Sequence, residues 1–289
     1  MPIVNLVDAS LVVNRLTHIG YELKNAREMY GVLTGMVNTM VNMPAVITLS
    51  FSMSLVPAVS SALTKKDQQG LQRMISTGLK LALMIGSAAA VGMGLLSHQI
   101  LRLLYASQPE NCLELGGQLL AIMSVGVLFL AVVQTTTGML QGLGKPSYPV
   151  KTLLVGIVAK TVLNYVLIGI PQINVLGAAI ATVVCYAIAA LGNVYMVLKL
   201  SKTKLKPVDA LVRPALAAGG MGAAVWGFVR LMGGRLGNTM LTLGAVCLGV
   251  LVYAVLAFVL RALSKEDLAL IPGGRRVARL MDKLGGKKA

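Results

Sequence analysis

Lys160 stands near the middle of an apolar run from Tyr148 to Ile170. A charged side chain at the centre of a bilayer costs on the order of 2.5 to 3.5 kcal/mol by insertion scales, so it needs a counter-charge or a wet cavity. Thr152, Gly156, Lys160 and Asn164 recur every four residues and form one slowly drifting stripe, a small and polar face expected to look into a cavity. The preceding run carries Gln134, Gly138 and Gln141 at i, i+4 and i+7, beside Thr135, Thr136 and Thr137. Such a face either binds a polar ligand or bonds helices to one another. Earlier still, Thr34, Asn38 and Asn42 share one side of a run that also holds Pro44 and Pro57, which remove backbone donors and invite kinks. Discontinuous helices often line transport pathways, and prolines are also simply tolerated by neighbouring helices. Asp8 is the one carboxylate inside an apolar segment, with Arg15 or Lys160 as its candidate partner. A pathway for organic cations calls for membrane-embedded carboxylates, whereas Lys160, a basic rim and a single Asp suit an anion such as a pyrophosphate. The candidate binding residues are Lys160, Asn164, Gln134, Gln141, Asn38, Asn42, Asp8 and Arg15.

Catalysis has little to work with. His18 and His98 lie in connecting or edge regions with no His, Glu or Cys partner at ligand spacing, so a metal or catalytic centre is not expected. Gly142, Gly144 and Lys145 imitate a phosphate loop, but the Walker spacing fails and Pro146 stands where a magnesium-binding hydroxyl belongs; the segment reads as a turn. Cys112, Cys185 and Cys247 are far apart and match no metal or redox spacing. No cofactor is implied.

The elements that must position these residues are membrane helices. The chain has 289 residues, is 56% hydrophobic and only 12% charged, and its mean hydropathy is +0.78, more apolar surface than a soluble core of that length can hide. Seven runs are long enough to span: Tyr30 to Leu63, Ile75 to Tyr105, Leu113 to Leu143, Tyr148 to Ile170, Val175 to Leu198, Leu211 to Leu231 and Thr239 to Leu260. Continuous runs cannot be barrel strands, which alternate over about ten positions; helices satisfy their backbone within the segment. The net charge of +16 sits between the runs without stacking aromatics, which argues against nucleic acid. It marks topology instead. Lys65, Lys66 and Arg73, then Lys145 and Lys151, then Lys199, Lys202, Lys204, Lys206 and Arg213, then the C-terminal tail alternate with sparsely charged connectors, which places the first set and the C-terminus in the cytoplasm.

The apolar stretch from Pro2 to Val13 is too short to cross, contains Asp8 and lacks the features of a signal peptide, so the chain is expected to begin partway through a helix. Beyond Pro272, Gly273 and Gly274, residues Val277, Leu280, Met281 and Leu284 recur at helical spacing among basic residues, the pattern of a short interfacial helix or of a solvated topology signal.

Several stretches together resemble the multidrug/oligosaccharidyl-lipid/polysaccharide exporter superfamily, and within it the stage V sporulation protein B type of polysaccharide exporter. Asp8 to Leu16, Tyr30-Gly31 and the run from Pro44 to Leu55-Val56-Pro57-Ala58-Val59-Ser60 look like that family's seventh and eighth helices. Gln141-Gly142-Leu143-Gly144-Lys145-Pro146, Gly156, Lys160, Asn164, Gly177-Ala178-Ala179 and Thr182 look like its tenth to twelfth. The resemblance implies an all-α integral membrane protein, the C-terminal lobe of a fourteen-helix MATE-like transporter working by alternating access. It implies seven full spans after a truncated first one, with residues 1–200 as the lobe, 201–263 as two additional helices that would cradle a lipid tail, and 264–289 as a basic cytoplasmic tail. The implied function is a flippase in the bacterial cytoplasmic membrane that exports a cell-wall or spore-cortex precursor. Its implied partners are membrane lipid, an undecaprenyl-pyrophosphate-linked glycan and a missing N-terminal lobe or partner chain. Related peptidoglycan lipid II flippases carry an Asp-Arg pair where this chain has Asn38-Thr39. A cation- or proton-coupled multidrug exporter, and a non-transporting scaffold or gene fragment, are the alternative readings.

Overall fold

The computed structural model describes residues 2–203 and 208–260. Its described residues form ten α-helices and two short π-helical segments, with no strand among them. Helix α1 (Pro2–His18) ends in a turn at Gly20, whose φ of +104° suits glycine. Helix α2 (Leu23–Gly31) runs through a π-helical segment (Val32–Val37) into α3 (Asn38–Thr64). The remaining helices are α4 (Gln68–Leu95), α5 (Ser97–Leu104), α6 (Glu110–Gly142), α7 (Ser147–Ile168), α8 (Leu176–Ser201), α9 (Arg213–Met232) and α10 (Asn238–Val259). Seven helical stretches are long and apolar enough to cross a membrane, as the hydropathy pattern requires.

Three boundaries differ from the sequence reading. The expected run from Ile75 to Tyr105 breaks at Leu96, whose ψ of 16° ends α4. The eight-residue α5 that follows is amphipathic, burying Ser97 and Leu101 and exposing Arg102, which pairs with Glu110. Hydropathy averages over this break because Ile100, Leu101, Leu103 and Leu104 flank its polar residues. Helix α3 continues unbroken through Pro44 and Pro57; the departure from α geometry comes earlier, at Val32–Val37, where the hydroxyls of Thr34 and Thr39 bond the carbonyls of Tyr30 and Gly35. Such back-bonding loosens the helical ladder. The span before α9 starts at Val208, in a π-helical turn closed by an Asp209–Arg213 ion pair of 2.8 Å.

Helix α6 is the spine, packed against α3, α4, α5 and α8. One apolar cluster gathers around its first half with Leu16, Val37, Leu119, Met123 and Ile168. Another surrounds its second half with Leu55, Ile75, Leu79, Met139 and Val197. Glycines set the closest approaches: a Cβ on Gly138 would stand 2.5 Å from the Ser52 carbonyl oxygen, and one on Gly142 2.8 Å from that of Val56. Small residues let backbones meet where lipid offers no hydrophobic drive. Helices α9 and α10 pair with one another and lie on α4 and α5, with Leu96, Met221, Val225 and Ala245 between them.

The connectors fall into two groups. Gln68 and Gln72 donate to the Ser201 and Lys202 carbonyls, which joins the α3–α4 turn to the end of α8. At the opposite end, Asn174 reaches Tyr21 and Asn238 donates to the Gln99 carbonyl. The lysine-rich connectors therefore share one end of the bundle, as alternating spans demand. Gly144, at φ +72°, closes α6 with Gly144 N–H to the Gln141 carbonyl and Lys145 N–H to that of Leu140, a Schellman stop and the expected turn. The tail from 264 to 289, with its proposed interfacial helix, lies outside the described residues, as do Lys204 and Lys206.

Candidate functional site

Helix α1 lies against α7, and the contact is polar at its centre. Lys160 Nζ donates to Asp8 Oδ2 at 2.8 Å, and Asn164 Nδ2 donates to Asp8 Oδ1 at 2.7 Å. Both carboxylate oxygens are engaged. The Asp8 and Lys160 side chains are each 19% exposed and Asn164 is 1% exposed, so the pair is largely enclosed by protein. Asn164 Oδ1 is buried without a hydrogen-bond partner, an acceptor left over once its amide has served Asp8. Tyr30 of α2 and Cys185 of α8 lie within electrostatic reach of Asp8. The ammonium spends one of its three donors on this carboxylate, so an anion that approaches competes with Asp8 for its charge.

Of the two candidate partners for Asp8, the structure uses Lys160. Arg15 instead donates from Nε to the Tyr165 carbonyl at 3.1 Å, with its guanidinium 4.3 Å from the Tyr165 ring centroid. Gly169 makes room for it, since a Cβ there would sit 2.6 Å from a guanidinium nitrogen. Helix α1 is thus clasped to α7 at two levels.

The stripe along α7 does not look into a single cavity. Thr152 donates to Asn193 Oδ1 on α8 at 2.6 Å, and Gly156 backs onto the Cys185 carbonyl, 2.7 Å from where a Cβ would stand. Lys160 and Asn164 turn to α1. A four-residue step overshoots the helical repeat by about 40°, so three steps rotate the stripe by roughly 120°. Gln134 sits apart from Lys160 and joins helices: its side chain accepts from Thr48 and its carbonyl from Ser52 at 2.6 Å. Gln141 is exposed in the last turn of α6, Asn38 is half-buried at the start of α3, and Asn42 is exposed on α3 beside Met43, Val46 and Ile47. Of the eight candidates, the structure brings together Asp8, Lys160 and Asn164, with Arg15 on the same interface.

Lys80 was not singled out by the sequence pattern, although the same signal marks it: a cation deep inside a long apolar helix. It lies midway along α4, half-buried, on the face that carries Arg73 and Thr77 at i−7 and i−3. All three have contacts of their own.

Long apolar helices around a buried polar contact define a multi-pass membrane protein with a transporter fold. The MatE family model matches residues 33–166. Stage V sporulation protein B of Bacillus subtilis is 25% identical over 91% of this chain and 49% of its own length. A probable multidrug resistance protein of Bacillus subtilis, YpnP, is 32% identical over 52% of this chain and 34% of itself. Among solved structures, a lipid II flippase MurJ in an inward closed conformation superposes with a TM-score of 0.68 at 17% identity, covering 89% of this chain and 51% of that one. The chain is therefore similar to MatE-family transporters over residues 33–166 and to stage V sporulation protein B over most of its length. It spans about half the length of the curated relatives it matches.

Proposed function

We propose that this chain forms the C-terminal half of a flippase for a lipid-linked saccharide pyrophosphate, working with an N-terminal lobe in the bacterial cytoplasmic membrane, C-terminus inside. The observation that carries the reading is the charge balance at mid-membrane. Lys160 and Lys80 lie deep in their spans, and the one carboxylate at comparable depth among the described residues, Asp8, is already held by Lys160 and Asn164. A pyrophosphate entering between the lobes finds an ammonium whose partner it can replace, whereas an organic cation finds a carboxylate already neutralised. Asn164 Oδ1, buried without a partner, is an acceptor that a headgroup hydroxyl could use once α1 moves off α7. Likeness to relatives named for multidrug resistance keeps a cation-coupled exporter as the second reading; it requires Asp8 to exchange Lys160 for the coupling ion.

The test is translocation of an undecaprenyl-pyrophosphate saccharide in proteoliposomes, with this chain supplied together with an N-terminal lobe. Lys160→Gln should reduce transport at least tenfold, and the double variant Asp8→Asn/Lys160→Gln, which restores neutrality, should remain equally impaired. Full recovery in the double variant would reduce the pair to a structural link. Drug efflux lost in Asp8→Asn alone would favour the exporter.

A further inference from the structure

Away from the α1–α7 contact, a cavity of about 500 Å³ opens at the lysine-rich end of the bundle, lined by Gln69, Gln72, Arg73, Ser76, Lys202 and Thr203. We propose that it binds a phosphate group, presented by an anionic lipid headgroup. This site is independent of the transport pathway above and of whether the chain transports at all.

Gln69, Gln72, Arg73 and Ser76 stand at i, i+3, i+4 and i+7, so they form one face over the first turns of α4. Lys202 and Thr203 close the opposite wall. That wall is fixed: Gln72 Nε2 donates to the Lys202 carbonyl at 3.0 Å and Gln68 Nε2 to that of Ser201 at 2.7 Å, while the Ser201 and Thr203 hydroxyls meet at 2.7 Å. Lys202 is held at φ +53°, a left-handed conformation that lysine seldom adopts, and which turns the chain across the mouth. The lining offers a guanidinium, an ammonium, two amides and two hydroxyls, and no carboxylate among the described residues. Asp67 is turned aside to cap Gly70 N–H at 2.9 Å, and Asp209 is paired with Arg213. Arg73 has a contact of its own, yet a guanidinium carries five donors and can serve an anion besides. A lining so rich in donors selects a multiply accepting anion, and phosphate is the commonest that fits.

Depth identifies the source of the phosphate. Helix α4 has 28 residues, about 42 Å at 1.5 Å per residue, against a hydrocarbon core of roughly 30 Å. Shared between its two ends, the excess of about 12 Å puts roughly the first turn of α4, with Gln69 and Gln72 at the mouth of the cavity, in the headgroup layer. Lys65 and Lys66 stand at the same end, adding the positive potential that concentrates anionic lipid there.

The full chain, purified in neutral detergent, is titrated with short-chain phosphatidylglycerol, with phosphatidylcholine and with inorganic phosphate, following binding by calorimetry. Phosphatidylglycerol is expected to saturate one site at least tenfold more tightly than phosphatidylcholine. Lys202→Asn, which keeps a residue tolerant of positive φ, and Gln69→Glu, an exposed change that adds a carboxylate to the lining, should each weaken it about tenfold. Equal binding by inorganic phosphate, lost in the same variants, would confirm the phosphate site and assign it to a soluble ligand. Binding unchanged in both variants, or none of the three probes binding, would overturn the proposal.

Discussion

At the residue scale, the Asp8–Lys160 pair sets what each substitution does. Removing one member of a shielded pair strands the other, which costs about 3 kcal/mol, whereas removing both costs far less. Lys160→Met should therefore lower stability by ~3 kcal/mol, and Asp8→Asn/Lys160→Met should recover most of the loss, both read from denaturation in detergent. Asn164 follows the same logic from the other side: it donates to Asp8 at 2.7 Å and leaves its own oxygen unserved. Sequence alone narrows the partner of Asp8 to Arg15 or Lys160, since a spacing of seven along α1 and a distant lysine look equally plausible. Only the packing of α1 on α7 decides, and Arg15 is drawn away by the Tyr165 carbonyl and ring.

At the scale of the element, the spans are legible because twenty apolar residues have few other uses. Breaks within them are less so. The end of α4 at Leu95 and the amphipathic α5 are hidden by leucines on both sides of Ser97 and His98, and the π-helical segment depends on hydroxyls bonding backward, which hydropathy does not register. Gln134 shows the same limit, since a glutamine facing a ligand and one accepting from Thr48 have identical spacing. One tight helix contact is readable once placed: Gly156 lets α7 approach the Cys185 backbone. Gly156→Val should destabilise the protein by about 2 kcal/mol through overpacking against a carbonyl that cannot withdraw, measured as a fall in Tm, while Gly35→Ala, with nothing within 4 Å of its Cβ position, should not.

For the whole molecule, two groups of connectors occupy opposite ends, joined within each group by Gln68–Ser201 and Asn238–Gln99 bonds. In a background with Cys112, Cys185 and Cys247 replaced, Lys65→Cys should be inaccessible to an impermeant maleimide added to intact cells, and Gln108→Cys should label; the reverse would invert the orientation drawn from the lysines. The stretch from Leu23 to Thr64 runs 42 residues, about 63 Å, far more than the membrane needs. Its lower part is anchored where Ser52 and Val56 meet Gly138 and Gly142, so any bending at Val32–Val37 swings the upper part, α2, like a crank arm. Nine residues of α2 make an arm of about 14 Å, and a rotation of roughly 15° carries its far end by about 4 Å, dragging α1 through the Gly20 turn. Such a throw would exceed the reach of the 2.8 Å bond between Asp8 and Lys160, so a bend of that size at Val32–Val37 should part the two.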